Sequence, residues 1–590
     1  MQAEEHDESP EAARPEPSPG TTRREFLRYG GVAGASAIVA GGGAAAIAAA
    51  AGHSAGVEEG AAGIAPLPPP PPTRSKPGFD HLVVVMGENR SFDNLLGWLY
   101  DRGDLPDGMR FDGLAFGDYA NATADGERIA AHVYDGQTDA IMRRPDPDPG
   151  EEYPHVNTQL FGTIRPASNA TAEIDDMGAP FNAPDAGAAP SMDGFLLDYA
   201  NHVEHRRGDG ARDIGQIMGS FSPEMLPVLS MLAKGFAVYD AWHCAVPSQT
   251  FCNRSFFHAS TSHGFVTNRG DGGYRKWLDA DASPTIFNRL EDAGLDWRIY
   301  FDDLQLVSMT GIIHAPALEK YWRSAHFAPM SQFWGDVADG TLAPYSFVEP
   351  RMIFDHNDFH PPVGRLRESD VDGDEVTDGA VSDVRAGEAL IHAIYSAIRA
   401  SASDSGSNAM NTMLLVTFDE HGGTYDHVPP PAATPPNASD DAGEMGFTFD
   451  RLGCRVPAIA ISAYTAAGTV INDPMHHGSV VATLCAAHGL DPLTDRDDGA
   501  PTIRNAVTLD APRHPLTWPA TTPQYTPPNP EAQPLHPGDA HRTAPLSPPA
   551  KGLLGLLIAK YGDGESEPAT YGEAYGLLQK YGVGLFGAPR

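Results

Sequence analysis

Cysteine is scarce in this chain, with four in 590 residues. Cys244, Cys252, Cys454 and Cys485 form no C-x-x-C pair, which excludes a zinc ribbon or a dithiol redox motif. One disulfide is open to them in an oxidising compartment, and four buried thiols would account for them equally well. Basic residues are also few, 40 Lys and Arg against 78 Asp and Glu, giving a formal net charge of −38 and a pI of about 4.8. That balance argues against nucleic acid as a partner, because the phosphate backbone rewards clustered Lys and Arg. It also disfavours adsorption to anionic lipid surfaces. An anionic substrate is not excluded, since a bound metal or a helix N-terminus reverses the field locally. No internal repeat is present. The one long apolar run, Val32 to Ala51, is rich in Ala and Gly and suits a membrane span poorly.

What is there divides the chain. Thr22-Arg23-Arg24-Glu25-Phe26-Leu27-Arg28 is a twin-arginine pattern ahead of that apolar run. Residues 1–52 are expected to be a signal peptide read by the twin-arginine export machinery, with a periplasmic or secreted product and no permanent membrane span after processing. Residues 53–77 read as a Pro-rich linker, stiffened by Pro68 to Pro72. Residues 78–505 are expected to be the catalytic domain, and 506–590 a Pro-rich C-terminal extension with short helices packed on it. Apolar stretches at Phe79–Met86, Ala237–Tyr239, Trp297–Tyr300, Tyr345–Val348, Met413–Phe418 and Val456–Ile461 read as strands. Pro223–Lys234 and Ala386–Ala400 have helical spacing. Strands alternating with helices indicate an α/β fold with a mostly parallel central sheet flanked by helices. The Asp-, Gly- and Pro-rich stretch from about 103 to 200 reads as long loop insertions over the domain, a pocket wall.

Two of the apolar runs end on hard oxygen ligands. Leu82 to Met86 leads into Glu88 and Asn89, and Met413 to Val416 leads into Asp419 and Glu420. In an open parallel sheet, ligands bind just past the carboxyl ends of the strands. Two strand ends presenting carboxylates there would hold one divalent metal ion.

A third segment, Val246 to Arg254, makes a resemblance specific. The chain resembles the bacterial phosphoesterase family that contains type C phospholipases and acid phosphatases, whose core fold is similar to alkaline phosphatase. The matching stretches are ENRSFD at 88–93, TFCNR at 250–254, NDFHPP at 357–362, DEHGGTYDHV at 419–428, and RVPAIAIS at 455–462 with HHGS at 476–479. They follow family order from about residue 79 to 490. The resemblance implies Glu88, Asn89, Asp419 and Glu420 as metal ligands, Thr250 as nucleophile and His360 as the group that assists the leaving alcohol. Asn253, His427 and His477 match positions implied to bind substrate. The chemistry agrees: a threonine hydroxyl needs activation to attack phosphorus, and a histidine has the pKa range to protonate an alkoxide. A helix starting at Asn253 would put Thr250 just before its N-terminus, where backbone N–H groups welcome a phosphoryl group. Taken alone, Thr250 would read as a helix cap and His360 as a loop histidine.

The sequence departs from the family at two places. Cys252 stands where proline is usual. The stretch Asp148 to His155 carries Glu151 where the family often has a phosphate-contacting histidine, with His155 the candidate substitute. Separately, Asp370, Asp372, Asp374 and Asp378 alternate as in a calcium-binding loop but lack EF-hand spacing, so structural calcium and a plain acidic surface both fit. The expected function is an exported metal-dependent phosphoric ester hydrolase, phospholipase C-like, working through a phosphothreonine on a phosphate ester or phospholipid. An acid phosphatase of the same family, transfer to an acceptor alcohol, and a non-catalytic exported binding protein are the competing readings.

Overall fold

The structure is a computed structural model that describes residues 71–207, 213–303, 305–353, 356–362, 370–371, 374–375, 383–437, 442–524 and 546–588. The chain separates into Met1–Ile64 and Ala65–Arg590, and everything described belongs to the second unit. The expected signal, 1–52, and the linker up to residue 70 lie outside the described residues. So do Asp372 and Asp378 of the acidic loop, whereas Asp370 and Asp374 fall on a short antiparallel pairing, Asp370–Val371 with Asp374–Glu375. Among the described residues, no helix is long and apolar enough to cross a membrane.

Eight strands build the central sheet: β1 His81–Gly87, β2 Ala237–Tyr239, β3 Trp297–Phe301, β4 Phe327–Pro329, β5 Tyr345–Val348, β6 Thr412–Phe418, β7 Ala458–Ile461 and β8 Thr469–Ile471. Their spatial order is β8-β2-β7-β6-β1-β5-β3-β4. The expected mostly parallel α/β sheet is observed. Only β7 runs against its neighbours, β6 and β2. A parallel return would need a crossover, usually helical. The segment between β6 and β7 contains, among its described residues, no helix beyond the short 3₁₀ turn Glu444–Gly446, so the chain comes straight back.

β1 and β6 lie side by side at the middle of the sheet. Every residue from Leu82 to Gly87 and from Thr412 to Phe418 is buried, which explains why both runs are apolar without alternation. Their parallel register pairs Val85 with Val416 and Gly87 with Phe418. The next residues on each strand, Glu88 and Asp419, therefore emerge together at the carboxyl edge.

Helices cover the sheet. α1 is Tyr153–Phe161, α2 Phe195–Arg207, α3 Pro227–Gly235, α4 Thr250–Ala259, α5 Val384–Ala400, α6 Gly478–His488 and α7 Pro548–Tyr561. α3 begins four residues later than expected, at Pro227, where a missing N–H costs nothing. The 103–200 stretch is not loop alone: it contains α1 and the start of α2. Nearly all of α1 is buried, so it carries no polar face for periodicity to reveal. α7, in the C-terminal extension, lies against the helices Arg275–Asp279 and Met309–Ile313. A Cβ on its Gly552 would come within 2.6 Å of the Phe251 ring, so only glycine admits this close approach. All four cysteines are buried and free.

Candidate active site

Glu88, Asn89, Asp419, Glu420, Thr250, His360 and His477 are all buried at the carboxyl edge of β1 and β6 or on the elements facing it. Asn89 adopts a left-handed backbone, φ 56°, rare for a residue with a side chain. It is pinned there by Asp419 Oδ1, which accepts from its N–H at 3.2 Å and from Glu420 N at 2.8 Å. Gly422 turns the chain at φ 59° hard against the Asn89 carbonyl, where a Cβ would collide. Its N–H donates to Glu420 Oε2 at 2.6 Å. The Gly-Gly pair thus folds the Asp-Glu segment back onto the Glu-Asn segment.

α4 supplies the third part. It begins at Thr250, with Gln249 as N-cap, three residues earlier than the sequence suggests, so the hydroxyl sits in the first turn rather than ahead of it. Thr250 Oγ1 donates to Glu88 Oε2 at 3.4 Å. The Asn253 side chain is used within the same turn: Oδ1 accepts from Val246 N, and Nδ2 donates to the Ser248 carbonyl at 2.7 Å. It shapes the loop that carries Thr250.

Arg254, one turn along α4, was given no role by the sequence. Its guanidinium donates to Glu88 Oε1 from Nε at 3.0 Å and from Nη2 at 2.5 Å, and stands 3.4 Å from Asp419 Oδ2. One buried cation thus faces several buried carboxyls. Burial raises Glu88 and Glu420 well above the usual carboxylate range and raises Asp419 too, while Arg254 works against the shift at Glu88 and Asp419. Three oxygens are left without a hydrogen-bond partner, Asn89 Oδ1, Asp419 Oδ2 and Glu420 Oε1, beside one donor, Arg254 Nη1. Buried oxygens unpaired in this number are costly, and they are the hard ligands a divalent cation takes. The donor set therefore fits a metal ion.

The histidines divide. His360 Nδ1 lies 2.6 Å from the Pro361 carbonyl and Nε2 lies 3.1 Å from Asn89 Nδ2. Burial lowers its pKa to about 4. Its loop is braced by Asp358, whose Oδ1 accepts from His360 N and whose carbonyl accepts from Glu88 N. Asp358 also meets His356 at 3.1 Å, and His356 Nε2 meets the Tyr571 hydroxyl of the C-terminal extension at 2.9 Å. His477 Nε2 faces the Asp419 carbonyl at 2.6 Å while Nδ1 accepts from Trp242, so it supports Asp419 from behind.

His427 belongs to a different group. Its Nδ1 meets Asp93 at 2.6 Å and its Nε2 meets Asp112 at 3.1 Å, and its ring packs on Tyr119. Burial opposes its charge, but Asp93 and Asp112 push the pKa up to about 9. Arg455 joins Asp93 at 2.9 Å and Asp426 at 3.0 Å. Among the described residues, Asp93, Asp426 and His427 form the one acidic–histidine set whose ligand atoms lie within 4.8 Å of one another. The oxygens of Glu88, Asp419 and Glu420 are spread wider. Spacing alone would favour the first set for a metal. Charge favours the second, because Arg455 already neutralises Asp93 and Asp426 and leaves no need of a cation.

Sequence comparison gives the same neighbourhood. The Phosphoesterase family model matches residues 79–491. Non-specific phospholipase C4 of Arabidopsis thaliana is 31% identical over 460 residues, covering 75% of this chain and 74% of that protein. Phospholipase C A of Mycobacterium tuberculosis is 26% identical over 301 residues, 46% of this chain and 52% of that protein. Among solved structures, an alkaline phosphatase superfamily protein from Vibrio parahaemolyticus aligns over 60% of this chain and 82% of that one at 12% identity, with a TM-score of 0.28, too low to bear on the argument.

Proposed function

The chain belongs to the phosphoesterase family, and on that premise we propose that it is an exported, metal-dependent phosphoric ester hydrolase of the phospholipase C kind. The names of its relatives support phospholipase C over the phosphatase alternative. The twin-arginine segment supports export to the periplasm or beyond. The observation that carries the chemical reading is the meeting of three unpartnered buried oxygens, on Asn89, Asp419 and Glu420, with the Thr250 hydroxyl hydrogen-bonded to Glu88.

Glu88, Asn89, Asp419 and Glu420 would hold the cation. When bound, it supplies Lewis-acid stabilisation of charge on the phosphoryl oxygens and on the threonine oxygen. Thr250 Oγ1 gives its proton to Glu88 Oε2 and attacks phosphorus, and the P–O bond to the departing alcohol breaks in line. The first turn of α4 turns its N-terminus to the transferred group. His360 Nε2, an acceptor at rest on the side of the ring away from Pro361, takes up a proton and passes it to the leaving alkoxide. Water then cleaves the phosphothreonine and restores Thr250. Arg254 holds Glu88 and offsets part of the buried negative charge, while Asn253 shapes the Thr250 turn and His477 steadies Asp419. His427 is read as support reaching the site through its neighbour Asp426 and the Asp419–Val428 turn. The Asp370–Asp378 segment stays a candidate calcium loop.

The test is hydrolysis of p-nitrophenyl phosphate and p-nitrophenylphosphorylcholine by the mature protein, with and without chelator, beside Thr250→Ala. The expected result is chelator-sensitive activity, higher on the diester, falling at least about 10⁴-fold in Thr250→Ala. Full activity in that variant would remove Thr250 from the mechanism.

A further inference from the structure

Glu151 is a buried carboxylate with no task in the mechanism above. Its place is built into the fold. Asp148 N donates to the Pro362 carbonyl at 2.8 Å, tying this segment to the His360 loop. The Gly150 carbonyl accepts from Gln159 Nε2 at 2.7 Å and abuts Gly423 so closely that a Cβ there would collide. Gln159 is itself fixed by Asp198 and by His421, each at 2.8 Å. Burial pushes the Glu151 carboxyl well above the usual range, with Glu152 and Asp148 adding to the shift.

From this seat Glu151 Oε2 accepts a hydrogen bond from Asn89 Nδ2, while Gln249 Nε2 approaches its other oxygen at 3.5 Å. The same Asn89 Nδ2 faces His360 Nε2 at 3.1 Å. The Pro361 carbonyl can only accept, so His360 carries its hydrogen on Nδ1 and its Nε2 is an acceptor. The imidazole therefore demands a donor from that amide end, and Glu151 Oε2 accepts from it as well. Reversing the amide would press its oxygen against the imidazole lone pair and give up the bond to Glu151. Asn89 Oδ1 is thus forced to the opposite side, where it has no partner.

We propose that Glu151 is a positioning residue: with His360 it locks the Asn89 carboxamide so that Oδ1 is presented as a ligand to the divalent cation. Outer partners of this kind are commonly worth 10- to 100-fold in metal affinity. The proposal rests on the metal reading above.

Calorimetric titration of the chelator-treated full-length protein with Mn²⁺ and with Ca²⁺ tests it on two variants of nearly equal size. Glu151→Gln keeps an oxygen to accept from Asn89, and Glu151→Met does not. The expected result is affinity within about threefold of the parent for Glu151→Gln and about 10- to 100-fold weaker for Glu151→Met. Equal losses in both would show that the carboxylate charge matters rather than the accepting oxygen, and would overturn the positioning role. Unchanged affinity in both would overturn it too. If Glu151→Met does not fold, the Gln variant decides alone: retained affinity supports the role and a tenfold loss overturns it. A parent that binds neither ion would overturn the metal reading itself, and this role with it, whereas a parent that binds beside an indifferent Glu151→Met overturns the role alone.

Discussion

Two buried acidic clusters sit on consecutive parts of the same segment, and they are built in opposite ways. Asp93, Asp426 and His427 are closed: Arg455 meets both carboxylates, and His427 spans Asp93 and Asp112. Glu88, Asp419 and Glu420 are open: Arg254 serves two of them, yet Asp419 Oδ2, 3.4 Å from that guanidinium, and Glu420 Oε1 accept no hydrogen bond. Buried charge held in pairs is structure, because breaking the pair costs several kcal/mol. Several buried carboxyl oxygens left unpaired side by side point to completion from outside the chain. Fewer than ten residues separate Glu420 from His427, so sequence proximity does not assign a side chain to one kind of cluster or the other.

The contrast can be broken most sharply at its cations. Arg455→Met leaves Asp93 and Asp426 buried without a partner and is expected to lower unfolding free energy by about 3–5 kcal/mol in a denaturant titration. A loss under 1 kcal/mol would mean that the closed cluster is not held by that pair.

Neutralising the acids should act with opposite signs. In chelator-treated protein Glu420→Gln removes a buried carboxyl with an unpartnered oxygen and is expected to raise the thermal midpoint, by about 1–2 kcal/mol in stability. Asp426→Asn weakens a satisfied pair and is expected to lower it by about 2 kcal/mol. Shifts of the same sign would erase the distinction.

pH probes the closed cluster through His427. The folded-state value of His427, about 9, lies above the ordinary 6.5. The imidazolium therefore contributes stability that is fully present below pH 6.5 and is lost as pH rises through 9. The parent is expected to lose about 3 kcal/mol across that window and His427→Gln less. Parallel pH profiles for the two proteins would exclude a charged His427.

The smallest effect sharpens the open cluster. Tyr571→Phe removes the hydroxyl that meets His356 behind Asp358. It is expected to cost about 1 kcal/mol in stability and to lower kcat a few-fold, more for an alkyl than for a nitrophenyl leaving group. An equal loss on both would detach Tyr571 from His360.

The two central strands were plain in the sequence, because runs such as Leu82–Met86 and Met413–Phe418 are buried on both faces and show it in every residue. The strands Phe327–Pro329 and Thr469–Ile471 escaped notice, being three residues long and at or near the sheet's edges. The convergence of Glu88–Asn89, Asp419–Glu420 and Thr250 was legible from the motifs. Arg254 was not, although it stands in the same motif, because nothing in a single helix says which carboxylate its guanidinium will reach. Glu151 was visible only as a departure from the family pattern. Its meeting with Asn89, like that of Asp93 with Arg455 across 362 positions, belongs to tertiary structure and leaves no local trace.

Gly552 touches the ring of Phe251, the neighbour of Thr250, from about 300 positions further along the chain. Contacts of such separation form late, since the long intervening loop must close before they give anything back. The floor beneath Thr250 thus depends on a contact of long sequence separation. A nascent chain that has not yet released Pro548–Tyr561 carries every motif of the catalytic segment and still lacks the wall on which Thr250's turn rests.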